Sequence, residues 1–228
     1  MNWDFEAGEV ILIDKPLEWT SFDIVKKIRN CIKVKKVGHA GTLDPLATGL
    51  LVICTGKKTK TIDALQGQNK EYIGTFRIGA TTPSYDLETP EENFQDYNHI
   101  SRNQILDVAQ SMIGAQEQIP PMYSAIQVDG VRLYKLARKG EELQIKARNI
   151  EIFDFEITDT QSPVISFRLT CSKGTYVRSI ARDFGIKLGV GAYLSSLRRT
   201  KVGTMDIADA WLLDDFIAQA KNLRKELN

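Results

Sequence analysis

Residues 38–51 constrain the fold of this chain more than any other stretch, because glycines and a proline there surround a single acid. The segment reads GHAGTLDPLATGLL and continues into an apolar run. Its three glycines permit backbone conformations that other residues avoid, and Pro45 disfavours the helical region for Asp44. We therefore expect Asp44 on a stiff loop beside a short buried strand over Leu50–Cys54. An isolated Asp-Pro pair more often forms a simple turn.

Strand-like and helix-like patterns are interleaved along the chain without repeats, which predicts an α+β fold. Strands are expected over residues 9–14, 50–54, 69–79, 148–157 and 164–171. Helices are expected from a cap at Thr20 or Ser21 to Ile32, from Ser101 to near Gly114, from Gly174 to Gly189, and from Leu212 to Leu227. No linker rich in Pro, Gly or Ser divides the chain, so a single domain over residues 1–228 is the simplest assignment.

Three local patterns add detail. The first helix has apolar residues at helical spacing, Phe22, Val25, Ile28 and Ile32. The Asp129-Gly130 dipeptide predicts a tight hairpin turn, followed by a short basic helix that stops at Gly140. Residues 81–100 are rich in acids and are expected to form an exposed loop.

Composition narrows the class of protein. A chain of 228 residues with 43% apolar content is long enough to bury a core. Its longest apolar run, Gly49–Cys54, is too short to cross a membrane, and the first ten residues lack the basic patch of an export signal, so we expect a cytoplasmic protein. The three cysteines are far apart with no CxxC pair and the chain has two histidines, which supports neither a disulfide framework nor a zinc site.

Charge is segregated along the chain although the net charge is only +1. Residues 26–36 carry six basic side chains and no acid, and residues 168–201 carry eight against Asp183 alone. Both runs are candidate phosphate-binding surfaces. Such runs are equally typical of solvated helix faces.

The segment at residues 38–51 resembles the signature GHxGxLDPxAxGxL of the TruB-type pseudouridine synthases, and the resemblance covers nearly the whole chain. Further matching blocks follow in the family's order: Asp14-Lys15-Pro16 with Thr20-Ser21, Lys70-Glu71-Tyr72, residues 120–125, residues 130–140, residues 172–178 and Leu197-Arg198-Arg199. The chain departs from the pattern at Glu18, where the family usually has Gly, and at Gln127, where it often has Lys.

The resemblance implies a pseudouridine-synthase fold, with a curved, mixed and mainly antiparallel sheet, flanking helices and a central RNA-binding cleft. It implies that the chain isomerises uridine to pseudouridine at position 55 in the T-loop of tRNA, the TΨC arm. Many members append a C-terminal RNA-binding PUA domain, whereas this chain ends at Asn228. We therefore expect the short form, a single catalytic domain. The resemblance also implies a monomer.

The resemblance also assigns roles to individual residues. Asp44 occupies the position of the nucleophile, and Arg178 that of the arginine that pairs with it. Tyr72 matches the aromatic residue that stacks on the flipped base, and His39 matches a residue that lines the pocket and holds the everted loop. Tyr176 and Leu197 resemble further pocket-lining residues. Outside this context, each residue would more often have an ordinary structural role.

The chemistry is consistent with this small set of residues. Isomerisation breaks the C1′–N1 bond, rotates the uracil and rejoins it through C5, so no atom enters or leaves. We therefore expect no cofactor and no metal. A carboxylate can add covalently or otherwise assist departure of the uracil, and a nearby guanidinium favours its charged form. Extrusion of the nucleotide costs a few kcal/mol, which stacking on Tyr72 and phosphate contacts can offset. Tyr72 is also a candidate for late removal of the C5 proton.

Two alternatives remain open at this stage. One is the same chemistry on a different RNA, as in guide-dependent relatives that work inside a ribonucleoprotein. The other is a tRNA-folding chaperone whose benefit does not require catalysis. The sequence also leaves open whether the intermediate is an ester, a glycal or a base adduct.

Overall fold

The computed structural model describes residues 3–128, 130–141 and 143–226. The strands are β1 (Val10–Lys15), β2 (Val37–His39), β3 (Ala47–Thr55), β4 (Lys70–Ile78), β5 (Gly114–Gln118), β6 (Gln127–Val128), β7 (Val131–Arg132), β8 (Arg148–Gln161), β9 (Val164–Cys171), β10 (Ala192–Val202), β11 (Met205–Asp206) and β12 (Trp211–Leu212). The α-helices are α1 (Ser21–Ile32), α2 (Ile62–Gln66), α3 (Arg102–Ser111), α4 (Leu133–Ala137), α5 (Val177–Leu188) and α6 (Leu213–Glu226). Two 3-10 helices span Gly56–Thr61 and Ile207–Asp209.

The chain divides into two compact units. The first contains the residues up to Ile73 together with those from Leu197 onward, and the second is Gly74–Ser196. Strands β4 and β10 each begin in one unit and end in the other.

The first unit is organised around β3. Strand β1 is antiparallel to β3 and parallel to β12, whereas β10 runs parallel to β3 with Leu197 opposite Ala47. Residues 50–55 are fully buried, which explains why this strand reads as an uninterrupted apolar run. Helix α1 packs against α6, and the rings of Trp3, Phe5, Trp211 and Phe216 are in contact.

The second unit is built on a sheet with the strand order β4-β9-β8-β5, in which β8 is antiparallel to both β9 and β5. Its core contains four phenylalanine rings, with Phe76 stacked on Phe167 at 4.2 Å between centroids and the rings of Phe155 and Phe184 beside them. Helix α5 contributes Phe184, and its C-terminus is closed by Gly189 in the left-handed conformation. The α+β prediction is therefore confirmed.

Several predicted elements are confirmed within a few residues. Thr20 caps α1 and Ser101 caps α3, each in a complete capping box. Strand β9 has the predicted bounds, and β8 continues four residues beyond Ile157. The predicted residues Asp129, at the hairpin turn, and Leu227, at the end of the last helix, lie outside the described residues.

Other expectations were wrong or incomplete. Phe22 is 62% exposed, because it lies off the buried face of α1, which is formed by Ser21, Ile24, Val25, Ile28, Cys31 and Ile32. Strands β5 and β10 were not predicted at all. Residues 81–100 form no helix or named strand, but the loop is not wholly exposed, since Thr82, Ser84 and Asp86 are buried. Among the described residues, no helix is long and apolar enough to cross a membrane.

Candidate active site

The loop between β2 and β3 carries Asp44, and the first residue of α1 holds this loop in place. Ser21, the buried first residue of α1, accepts a hydrogen bond from the Leu43 amide at 2.9 Å and donates one to the Leu43 carbonyl at 3.1 Å. The Pro45 carbonyl accepts from the Glu18 amide at 2.8 Å. Both neighbours of Asp44 are thus held in place, while the aspartate itself is only partly buried. The expected stiff loop is present.

Lys15 is buried beneath the same loop. Its Nζ donates to the carbonyls of Pro16 at 2.9 Å, Trp19 at 2.6 Å and Pro45 at 3.4 Å. Burial lowers the pKa of Lys15 to about 8; the negative charge of Asp44 opposes this shift and the positive charge of Arg199 adds to it. The lysine therefore holds the loop through hydrogen bonds, and it also places a positive charge near Asp44.

Arg199 is a second buried cation in the first unit. Its Nε donates to the Leu50 carbonyl at 2.7 Å and its Nη2 to the Gly41 carbonyl at 3.1 Å, so it connects the start of the loop to β3. Gly49 allows the backbones of β3 and β10 to approach closely at this point. It has a φ of +99°, and a Cβ atom there would lie 2.3 Å from the Arg199 carbonyl oxygen. The Leu197-Arg198-Arg199 block identified this stretch in the sequence, but only Leu197 was assigned a site role there.

Four of the predicted site residues belong to the first unit. His39 is on β2 opposite Ile53, Leu197 is on β10 opposite Ala47, and Tyr72 is a buried residue of β4. Strand pairing therefore holds His39 and Leu197 against β3, the strand that follows the Asp44 loop. Burial, and then the charge of Arg199, lower the pKa of His39, which favours the neutral imidazole. Its Nδ1 is buried without a hydrogen-bond partner among the described residues.

The other two predicted residues, Tyr176 and Arg178, belong to the second unit. Arg178 is buried, and its guanidinium lies 3.5 Å from the Asp86 carboxylate (Nε to Oδ2), while its Nη1 donates to the Ser84 carbonyl at 3.3 Å. Asp86 was missed by sequence reasoning, which placed it in an exposed acidic loop. The hydroxyls of Thr82 and Ser84 donate to its carbonyl at 2.7 and 3.1 Å, which buries this part of the loop. Pairing of Arg178 with Asp44 stays a prediction.

Tyr176 immediately precedes α5 and is half-buried. The guanidinium of Arg148 lies over its ring, with Cζ 5.0 Å from the ring centroid. The guanidinium occupies one face of the ring, and an aromatic ring can stack on a nucleobase only through a face that is not occupied.

The two basic runs differ in their exposure. In the first, the side chains of Lys26, Lys33, Lys35 and Lys36 are exposed, as expected for a phosphate-binding surface. In the second, Arg178 and Arg199 are buried. Three more arginines of this run form ion pairs with acids: Arg168 with Glu156, Arg182 with Asp183, and Arg198 with Asp14. The second run is therefore mainly structural, which corrects its interpretation as a phosphate-binding surface.

No group of three or more His, Cys, Asp or Glu side chains in the described part of the chain is arranged to hold a metal ion. The three cysteines, Cys31, Cys54 and Cys171, are buried.

Comparison with known proteins identifies the family. The model of the TruB family pseudouridylate synthase N-terminal domain matches residues 29–177, and that of the tRNA pseudouridylate synthase B C-terminal domain matches residues 178–228. The tRNA pseudouridine synthase B of Flavobacterium johnsoniae is 52% identical over 91% of this chain and 93% of its own length. The corresponding protein of Parabacteroides distasonis is 49% identical over 95% and 96%.

A solved structure agrees with this result. A chain of the crystal structure of a Cbf5-Nop10-Gar1 complex superposes with a TM-score of 0.77 and 26% identity, covering 98% of this chain and 57% of that one. The protein therefore has the pseudouridine-synthase fold, and it belongs to the TruB family of pseudouridylate synthases.

Proposed function

We propose that this enzyme converts uridine to pseudouridine at position 55 in the T-loop of tRNA, with Asp44 as the nucleophile. The observation that carries the proposal is the fixation of Asp44. Ser21 and Lys15 bind the backbone on both sides of the aspartate, which leaves its carboxylate on a preorganised loop with two buried cations in the same unit.

The substrate assignment rests on the relatives. The similar proteins of two bacteria carry the name tRNA pseudouridine synthase B, and they match this chain along almost their whole length. The T-loop site follows from the sequence resemblance to the TruB type. The cytoplasmic location and the monomeric state stay predictions.

The proposed mechanism begins with extrusion of the target nucleotide, since a stacked base hides its sugar from the enzyme. Tyr72 stacks on the flipped base, and His39, Leu197 and Tyr176 line the pocket. The Asp44 carboxylate then attacks the nucleotide or assists departure of uracil, with Arg178 as its counter-charge. Uracil rotates in the pocket and rejoins C1′ through C5, and a base removes the C5 proton, a step for which Tyr72 is the candidate.

Tritium release from uracil C5 tests the proposal directly. A tRNA transcript labelled at C5 is incubated with the wild type, with Asp44→Asn, and with Asp63→Asn, which alters an exposed aspartate of α2 in the same unit. Release by the wild type and Asp63→Asn, absent with Asp44→Asn and mapped to the T-loop, is the expected result. Equal release by Asp44→Asn would refute the nucleophile assignment, and release at another position would refute the T-loop assignment.

A tRNA-folding chaperone activity is a second candidate. The exposed lysines of residues 26–36 offer the RNA a surface that does not depend on Asp44. If Asp44→Asn rescues every phenotype of cells that lack the protein, RNA binding is the important function. If Asp44→Asn rescues none of these phenotypes, the isomerisation is the important function.

A further inference from the structure

Two residues that face each other across the β5–β8 ladder both hold Tyr176. Gln118 is the last residue of β5 and pairs with Arg148, the first residue of β8. Gln118 is almost completely buried, at 1% exposure, whereas Arg148 is half-buried. Neither residue was singled out by the sequence.

Gln118 binds both backbone groups of Tyr176 through its side-chain amide. The Tyr176 amide donates to Oε1 at 2.8 Å, and Nε2 donates to the Tyr176 carbonyl at 3.1 Å. This two-point contact has the donor and acceptor pattern of a strand ladder, made by a side chain at a residue with extended φ and ψ of −95° and 110°. It fixes the backbone from which the tyrosine ring projects.

Arg148 restrains the ring and the preceding turn. Its Cζ lies 5.0 Å from the centroid of the Tyr176 ring, and its Nη1 donates to the Gly174 carbonyl at 3.2 Å. Ser179 in the first turn of α5 also donates to the Ile119 carbonyl at 2.9 Å. Gln118, the next residue Ile119 and the strand partner Arg148 are therefore all bound to the residues at the start of α5.

We propose that Gln118 is a positioning residue for pseudouridine formation, acting through Tyr176. The inference rests on the proposed function, in which Tyr176 lines the pocket for the flipped base. Gly174, two residues earlier, has a φ of +79° and gives the turn conformational freedom. The two hydrogen bonds from Gln118 remove that freedom, so the ring is held in place before the substrate enters.

The first test detects the pair of hydrogen bonds between Gln118 and the Tyr176 backbone, which we call the clamp. It does not depend on a measurement of enzyme activity. Gln118→Met keeps an unbranched side chain of similar length and removes both hydrogen bonds. Gln116→Met is the matched control, because Gln116 lies on the same strand and its Nε2 donates to a different backbone group, the Met112 carbonyl at 2.7 Å. The chain has seven tyrosines, so ¹⁵N-tyrosine labelling gives a simple NMR spectrum, and Tyr176→Phe identifies the Tyr176 amide.

In Gln118→Met, we expect the NMR signal of the Tyr176 amide to change its chemical shift and the amide hydrogen to exchange faster with solvent. In Gln116→Met, we expect both the chemical shift and the exchange rate to be unchanged. An unchanged Tyr176 amide in Gln118→Met would overturn the clamp, whatever the activity.

The second test asks whether the clamp serves catalysis. With saturating tRNA in single-turnover experiments, we expect Gln118→Met to lower the rate about 10- to 100-fold, with little change in Kd, because displacement by about 1 Å is costly in an oriented site. Gln116→Met is expected to react like the wild type. In a Tyr176→Ala background, the additional effect of Gln118→Met should largely disappear.

An undiminished effect in the Tyr176→Ala background would overturn positioning through Tyr176, as would a wild-type rate in Gln118→Met. If the wild type itself releases no tritium from tRNA, the proposed function fails, and the NMR experiment still decides whether the clamp exists.

Discussion

At the scale of single residues, the loop that carries Asp44 is held by two buried cations that bind backbone carbonyls. Lys15 donates to three carbonyls, and Arg199 donates to two. The loop geometry and the local charge therefore depend on the same side chains. Changes to these residues are expected to affect stability and activity together.

Lys15→Met provides a stability test of the buried lysine. Because the pKa of Lys15 is lowered from 10.5 to about 8, the folded protein releases this proton between those values while the unfolded chain retains it. The wild type should therefore gain stability relative to Lys15→Met as pH rises through this window, by at most about 1.4 kcal/mol per pH unit. Urea unfolding of both proteins across the window measures the difference. A difference independent of pH would contradict the lowered pKa.

Asp86→Asn tests the acid that sequence reasoning missed. Arg178 and Asp86 are both almost fully buried, and removal of one charge from such a pair leaves the other poorly compensated. We expect a loss of about 3 kcal/mol in the free energy of unfolding and a lower rate of tritium release. The control is Asp96→Asn in the exposed part of the same loop. Equal stability of the two variants would show that the pair contributes little.

The sequence predicted the site residues unevenly, and distance along the chain explains why. Asp44 and His39 could be proposed from the sequence because the motif that presents them is contiguous. Asp86 and Arg178 are ninety or so residues apart, and only the fold shows that they form a pair. Gln118 and Arg148 were missed for the same reason, since each acts on a residue of another element.

At the scale of secondary structure, the contact between β3 and β10 determines where Leu197 and Arg199 lie. The two strands are parallel, with Arg199 opposite Gly49. Strand β10 was not predicted, because polar and basic residues interrupt its apolar positions and its partner is far away in sequence. The helices with capping boxes were predicted well, since the signal for a cap lies within four residues.

Gly49→Ala tests this contact, with Gly114→Ala as its control. Both glycines have a φ near or above +100°, so an alanine is strained by about 1–2 kcal/mol at either position. A Cβ atom at residue 114 would meet nothing within 4 Å, whereas at residue 49 it would lie 2.3 Å from the Arg199 carbonyl oxygen. We expect Gly49→Ala to be clearly less stable in urea unfolding than Gly114→Ala. Equal losses would mean that the two strands separate easily.

At the scale of the whole molecule, the net charge of +1 conceals the exposed basic surface of residues 26–36. Replacement of Lys33, Lys35 and Lys36 by alanine should weaken tRNA binding and reduce the slope of log Kd against log salt by roughly 2. Lys27→Ala is the control, because Lys27 pairs with Asp214 at 3.0 Å. Filter binding at several salt concentrations measures the slope. An unchanged slope in the triple variant would exclude this surface from RNA binding.

The first unit is discontinuous in sequence, and this has a consequence for synthesis on the ribosome. Strand β3 is made early, but its parallel neighbour β10 lies near the end of the chain, beyond the whole of the second unit. A nascent chain that has reached Ser196 contains the Asp44 loop without Arg199, the residue that ties Gly41 to Leu50. The edge of β3 at residues 47–49 is then still without its partner strand. Unpaired strand edges in a nascent chain favour aggregation or chaperone binding. The segment that carries Asp44, the proposed nucleophile, is therefore among the first parts of the protein to be translated and among the last to reach its final structure.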